Sequence, residues 1–255
     1  MIASYVDAIV SGNPWVIWVE GDAGSGKTTL VRQALSGLSA EVRVLQATAD
    51  ELSADVEFAV VDQLGAIRGR SGFVAGLELL AHIGEAEDSG PVIVVVEDLH
   101  WAATASRQAL LTLARRLDQD RVLMILTSRP GGAPDRWDRF RLDSGRCASI
   151  SVGPLSVAEV AALAQAVGVP LGPGGAERLH RHTNGHPLYA RRSWPNLTRR
   201  SPPRAAISSD RGFAAAFVAV TIIALAGMVL TAILVKRPNT AANRAGEPAR
   251  RRDRS

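Results

Sequence analysis

Gly21-Asp22-Ala23-Gly24-Ser25-Gly26-Lys27-Thr28 fits the pattern G-x-x-x-x-G-K-[ST] at every fixed position. The flanks agree with it. Trp15–Glu20 is an apolar run of strand type, and Thr28 to about Ser36 reads as a helix stopped by Gly37. Glycines at this spacing let successive backbone N–H groups turn inward around phosphate oxygens, at the positive end of the helix. Lys27 would then reach the β- and γ-phosphates of a nucleotide, and the Thr28 hydroxyl would sit on Mg2+. Residues Gly21 to Thr28, with Thr29 beside them, are therefore the expected binding segment for ATP and Mg2+. Only two of the 29 basic residues are lysines, and one is Lys27. Arginine could not replace it without a change of size and geometry.

Four further apolar runs follow: Val42–Ala47, Val92–Val96, Val122–Thr127 and Ala148–Val152. The Val92 and Val122 runs do not alternate, which predicts parallel strands buried on both faces under helices. Helical patterns lie between them, clearest in Thr104–Leu117 with Leu110, Leu113, Ala114 and Leu117 on one stripe. Another pattern precedes the first strand, with Ile2, Val6 and Ile9 on one side, and runs into Ser11-Gly12-Asn13-Pro14. Strand–helix alternation makes the fold α/β, a parallel sheet flanked by helices. From Pro154 to Arg192 only helical signals remain, including a capping box at Ser156 and a helix over Ala176–His182 that stops at Asn184-Gly185. That stretch predicts a small helical lid.

The third strand ends in Glu97-Asp98, where a phosphate-binding sheet needs acids. One carboxylate belongs near Mg2+ and the other where it orients or deprotonates the attacking water. Glu97 is assigned the metal, together with Thr28, and Asp98 the water; the longer Glu97 side chain also permits the reverse. The fourth strand ends in Thr127-Ser128-Arg129-Pro130. Strand ends line the ligand crevice of a parallel sheet, so Arg129 is expected to sense the γ-phosphate or offset transition-state charge. Glu97, Asp98 and Arg129 are thus the catalytic candidates. No Asn-Lys-x-Asp motif for guanine occurs, which favours ATP over GTP.

Glu97-Asp98-Leu99-His100-Trp101-Ala102, followed by Ser106 and a Leu/Ala/Arg helix, resembles a segment of STAND-type AAA+ ATPases. These are the ATPase modules of large LuxR-family transcriptional regulators. Phe58–Leu64, Thr127–Arg129, Gly153-Pro154-Leu155 and Thr183-Asn184-Gly185-His186-Pro187-Leu188-Tyr189 extend the likeness, in order, over about residues 5–192. The resemblance implies an ATP-dependent switch in which ATP bound between core and lid favours one arrangement and ADP another. Its partners would be the nucleotide and, through the ATPase core, a second copy or a signalling protein. Ala103 stands where that family commonly has Asp, and Glu97 where it has a first Asp. The chain begins close to the phosphate-loop strand, so an upstream nucleotide-contacting segment is expected to be missing. Nothing after the lid resembles the family's repeat sensor or helix-turn-helix, so no DNA-binding domain is expected.

The 255 residues carry a formal net charge of +4 and a pI near 9.9, which would ordinarily suggest nucleic acid. The charge is unevenly placed: residues 1–190 carry a net −6 and residues 191–255 a net +10. Binding of nucleic acid or anionic lipid is therefore an expectation for the tail alone. One cysteine, Cys147, excludes a disulfide framework or a Cys-based zinc ribbon, and nothing near it suggests activation. His180, His182 and His186 lack the acids or cysteines of a metal site. His186 reads as part of the lid motif, and His100 and Trp101 as packing residues. Gly65–Gly76 reads as a flexible connection.

Residues 213–235 contain no charge, and 13 of them are Phe, Ile, Leu, Val or Met. As a helix they would rise about 34 Å, enough for a bilayer core of roughly 30 Å. The expected organisation is a P-loop ATPase core over 1–152, a helical lid over 153–192, a Pro/Arg-rich linker over 193–212, a transmembrane helix over 213–235 and a basic tail over 236–255. Six basic residues precede the span and seven follow it, so the positive-inside rule favours neither orientation. ATP chemistry places the core in the cytoplasm, with the chain anchored as a single-pass membrane protein. The alternatives are a cytoplasmic protein, a non-catalytic nucleotide-binding remnant, and a fusion of a regulator's ATPase fragment to an unrelated membrane helix.

Overall fold

The computed structural model describes residues 2–65, 71–132 and 135–198. Five parallel strands form its sheet: β1 (Trp15–Gly21), β2 (Arg43–Thr48), β3 (Val92–Glu97), β4 (Val122–Ser128) and β5 (Cys147–Val152). Their spatial order is β2-β3-β4-β1-β5. β3 and β4 are buried at every position, which is what two unbroken apolar runs require of strands covered on both sides.

The period of two divides the core. Val16, Trp18, Val94, Val96, Met124 and Leu126 face one side, whereas Ile17, Val19, Ile93, Val95, Leu123 and Ile125 face the other. Helices α1 (Ile2–Val10) and α2 (Lys27–Ser36) cover the second face through Ile9, Leu30 and Val31. The first face is covered by α3 (Ala59–Leu64), α4 (Gly72–Glu87), α5 (Thr104–Arg116) and α6 (Asp135–Asp143). Full burial of Leu110 and Leu113 on the α5 stripe contributes about 1.5–3 kcal/mol each.

The Gly65–Gly76 stretch differs from its expectation. From Gly72 it is helical, as the first turn of α4, with Ser71 as N-cap accepting from the Val74 N–H. Its glycines serve close packing. A Cβ on Gly72 would lie 2.7 Å from Gln108 Cβ, and one on Gly76 would lie 2.6 Å from the Ala109 carbonyl oxygen of α5. Two helix backbones approach here at a distance that side chains would prevent.

After β5 the chain is helical: α7 (Val157–Ala166), α8 (Gly175–Thr183) and α9 (Pro187–Thr198). They share a small core of Val160, Leu163, Leu179 and Ala190. Ser156 and Glu159 form the reciprocal capping box at the start of α7, worth about 1 kcal/mol. α9 continues to Thr198, into the stretch expected to be linker. The expected transmembrane segment 213–235 and basic tail 236–255 lie outside the described residues. Among the described residues no helix is long and apolar enough to cross a membrane.

Candidate functional site

The sheet order puts β4 between β1 and β3, so the segments leaving these three strands meet at one edge of the sheet. Residues Gly21 to Thr28 leave β1, Glu97 and Asp98 end β3, and Ser128-Arg129 ends β4. The Gly21–Thr28 loop turns through Gly24 (φ +79°) and Gly26 (φ +102°) before α2 begins at Lys27. Gly26 is the N-cap in a left-handed conformation that a side chain would strain. The first-turn N–H groups of α2, Thr28 and Thr29 among them, have no helical carbonyl to bond and project from the positive end of the helix.

Lys27 is buried, and its ammonium donates to the carbonyls of Gly21 (2.9 Å) and Asp22 (3.1 Å). Burial lowers its pKa; Asp98 and Asp22 act against that shift and Arg129 adds to it. Thr28 donates its hydroxyl to Glu97 Oε2 at 2.7 Å, and the Gln46 amide donates to Glu97 Oε1 at 2.9 Å. Glu97 is only 5% exposed, so both donors matter to a carboxylate largely out of water. Asp98 adopts a left-handed φ of +54°, and its N–H donates to the Thr127 hydroxyl at 2.9 Å. Arg129 is exposed, with its guanidinium 5.3 Å above the Trp101 ring. The structure thus brings the sequence-derived residues together, with Arg129 leaning on the turn that follows Asp98.

Gln46 and Arg141 carry no signal in the sequence, whereas Thr127 and Gln63 lie in segments that carry the resemblance without a role having been assigned to either. Gln46 reaches from the exposed edge strand, where Arg43 in the same run is also polar, so nothing in the run singles it out. Thr127 holds the Asp98 backbone. Gln63 pins α3 to β2: its amide donates to the Thr48 carbonyl and accepts from the Thr48 N–H. Beneath the loop, Glu20 accepts from Arg141 (3.0 Å) and from the Trp18 indole (3.0 Å), while Arg141 also bonds Ser149.

The segment after α8 reaches the loop. His186 Nε2 lies 2.9 Å from the Ala23 carbonyl oxygen, which makes Nε2 the protonated nitrogen. A Cβ on Gly24 would come within 2.8 Å of Leu188 Cβ. The motifs around residues 154 and 185 also meet, because Leu155 N–H donates to the Gly185 carbonyl and Gly185 leaves no room for a side chain. His100 has both ring nitrogens buried without a partner, and burial holds its pKa below the ordinary 6.5. Among the described residues no group of three or more His, Cys, Asp or Glu is placed to hold a metal by itself. A hydroxyl, one carboxylate and nucleotide phosphates are nevertheless a donor set that suits Mg2+, which keeps waters and takes few protein ligands.

A parallel sheet of this order, with a phosphate-loop sequence after β1 and acids at the end of β3, is an α/β fold like that of AAA+ P-loop ATPases. Residues 1–125 match the family described as the AAA ATPase domain. Among solved structures, the chain is similar to the Aeropyrum pernix ORC1 protein in complex with DNA. The TM-score is 0.54 at 16% identity, over 94% of this chain and 71% of that one. It is also similar to a RuvB mutant of Thermotoga maritima, with a TM-score of 0.50 at 16% identity, over 90% of this chain and 67% of that one. At such identity the likeness is one of fold. No curated protein sequence matches the chain.

Proposed function

We propose that the chain is an ATP- and Mg2+-binding switch of the STAND type that hydrolyses ATP slowly. The observation that carries this reading is the Thr28–Glu97 hydrogen bond beside the buried Lys27. A hydroxyl that gives its proton to a carboxylate keeps its oxygen lone pairs for a cation. Thr28 and Glu97 would hold Mg2+, which would supply positive charge against the nucleotide phosphates. Lys27 would trade its two backbone carbonyls for phosphate oxygens, and the first turn of α2 would supply N–H donors. Asp98, its backbone fixed by Thr127, would orient the water that attacks the γ-phosphorus as the bond to the ADP oxygen breaks. Arg129 would offset the charge that develops.

The resemblance of residues 183–189 to a STAND lid supports the switch, as does the seating of His186 and Leu188 on the loop. The uncharged stretch 213–235 supports a membrane tether with the ATPase part in the cytoplasm. A second copy is the simplest partner for such a core. A non-catalytic nucleotide binder is the second reading, favoured by Glu97 in place of the family's usual first Asp.

The test is nucleotide binding by the full chain with Lys27→Ala as control. Loss of MgATP affinity in the variant is expected, and equal affinity in both proteins would overturn the phosphate-loop reading. Phosphate release no faster than from Asp98→Asn would select the non-catalytic reading. Release of the chain from membranes by carbonate would remove the tether.

A further inference from the structure

We infer that Gln46 is a positioning residue that sets the divalent-cation affinity of the nucleotide site by holding Glu97 in the rotamer that engages Thr28. The inference rests on the reading of Thr28 and Glu97 as the Mg2+ end of that site.

Glu97 has one more rotatable bond than the aspartate that the family usually places there, so a single hydrogen bond leaves it more conformations to lose. The structure supplies a donor to each oxygen: Thr28 Oγ1 to Oε2 at 2.7 Å and Gln46 Nε2 to Oε1 at 2.9 Å. A carboxylate only accepts, so the amide must present its nitrogen, and the orientation of Gln46 is chemically determined. The two donors approach from different elements, α2 and β2, and together fix the plane of the carboxylate.

The strand that carries Gln46 is itself held in place. Gln46 pairs in register with Val95 on β3, two residues before Glu97. Beyond it, Gln63 closes both backbone groups of Thr48, and the Ala49 N–H donates to the Glu97 carbonyl at 2.9 Å. Gln46 therefore extends from a backbone fixed against the residue it orients. Its side chain is otherwise exposed, so nothing in the core depends on it. Outer partners of this kind set the orientation of the groups around a metal, and their loss typically lowers metal affinity about 10- to 100-fold.

The experiment uses the full chain, Gln46→Met, which keeps length but not the donor, and Val44→Thr as a control on the same edge strand. ATP affinity is measured in chelator and across a Mg2+ titration. Mn2+ uptake in the presence of ATP is followed by the EPR signal of the free ion. For Gln46→Met the expected result is unchanged ATP affinity in chelator, with half-saturating Mg2+ and Mn2+ raised about 10- to 100-fold. Val44→Thr should match the parent protein. An unchanged metal midpoint in Gln46→Met overturns the inference, and so does an equal loss of affinity with and without metal. Parent protein whose ATP binding ignores Mg2+ overturns the underlying reading of the site and the inference with it.

Discussion

Thr28 and Glu97 stand 69 residues apart in the chain, yet the hydroxyl of one donates to the carboxylate of the other across 2.7 Å. Thr28→Val removes that proton and the oxygen a cation would use. ATP affinity in Mg2+ should fall about 10- to 100-fold, with little change in chelator, and Thr28→Ser should restore it. Calorimetric titration with and without Mg2+ reads the difference. Thr28→Val binding MgATP as the parent does would remove Thr28 from the metal site.

Gly24 is constrained twice, by a φ of +79° and by Leu188 across the loop. Gly24→Ala should destabilise the protein by about 1–3 kcal/mol, from backbone strain and overpacking together. It should also expose the lid to protease, because the new methyl group displaces Leu188. Adding Leu188→Ala should recover part of the loss but not the strain. Urea midpoints and limited proteolysis measure both effects, and an unchanged midpoint in Gly24→Ala would contradict the contact.

His100 gives a pH dependence of known sign. Burial lowers its pKa below 6.5; Asp98 acts against the shift, while Arg129 and Lys27 add to it. As pH falls through 6.5 the unfolded chain takes up a proton that the folded one refuses. Stability therefore drops below that pH and keeps dropping until the folded pKa is reached. His100→Phe should show a shallower decline between about pH 7 and pH 5. Thermal melts across that range decide it, and parallel curves would show that another group is responsible.

Cys147 is half-buried on β5, and burial pushes its thiol up to about 11, with Arg141 pulling weakly the other way. Against an ordinary 9.0, its thiolate fraction at pH 8 is lower by about a hundredfold. Iodoacetamide should label the native protein far more slowly than the urea-unfolded chain, and equal rates would refute the burial.

The strands were legible because they are unbroken or turn-bounded apolar runs: each of the five lies within about a residue of its expected span. Gly21 to Thr28 was legible because few residue types satisfy its backbone demands. Gly72 and Gly76 misled, since a glycine pair admitting a helix looks in sequence like one loosening a loop. What distinguishes them is Ala105, Gln108 and Ala109 on α5, some thirty residues away. The contacts of Gln46, Gln63 and Arg141 escaped for the same reason. Their importance lies in the atoms they meet, and no local pattern records a partner on another element.

The anchorage of Glu20 has a consequence for how the chain is made. Glu20 leaves the ribosome early, but its counter-ion Arg141 follows 121 residues later, and Ser149 later still. A nascent chain ending at β4 carries the whole phosphate-loop sequence above an unneutralised carboxylate. Long-range closures of this kind come late because the chain entropy must be lost before the contact forms. The carboxylate beneath the loop therefore gains its full set of partners only when α6 and β5 have docked, long after the loop sequence itself has been made.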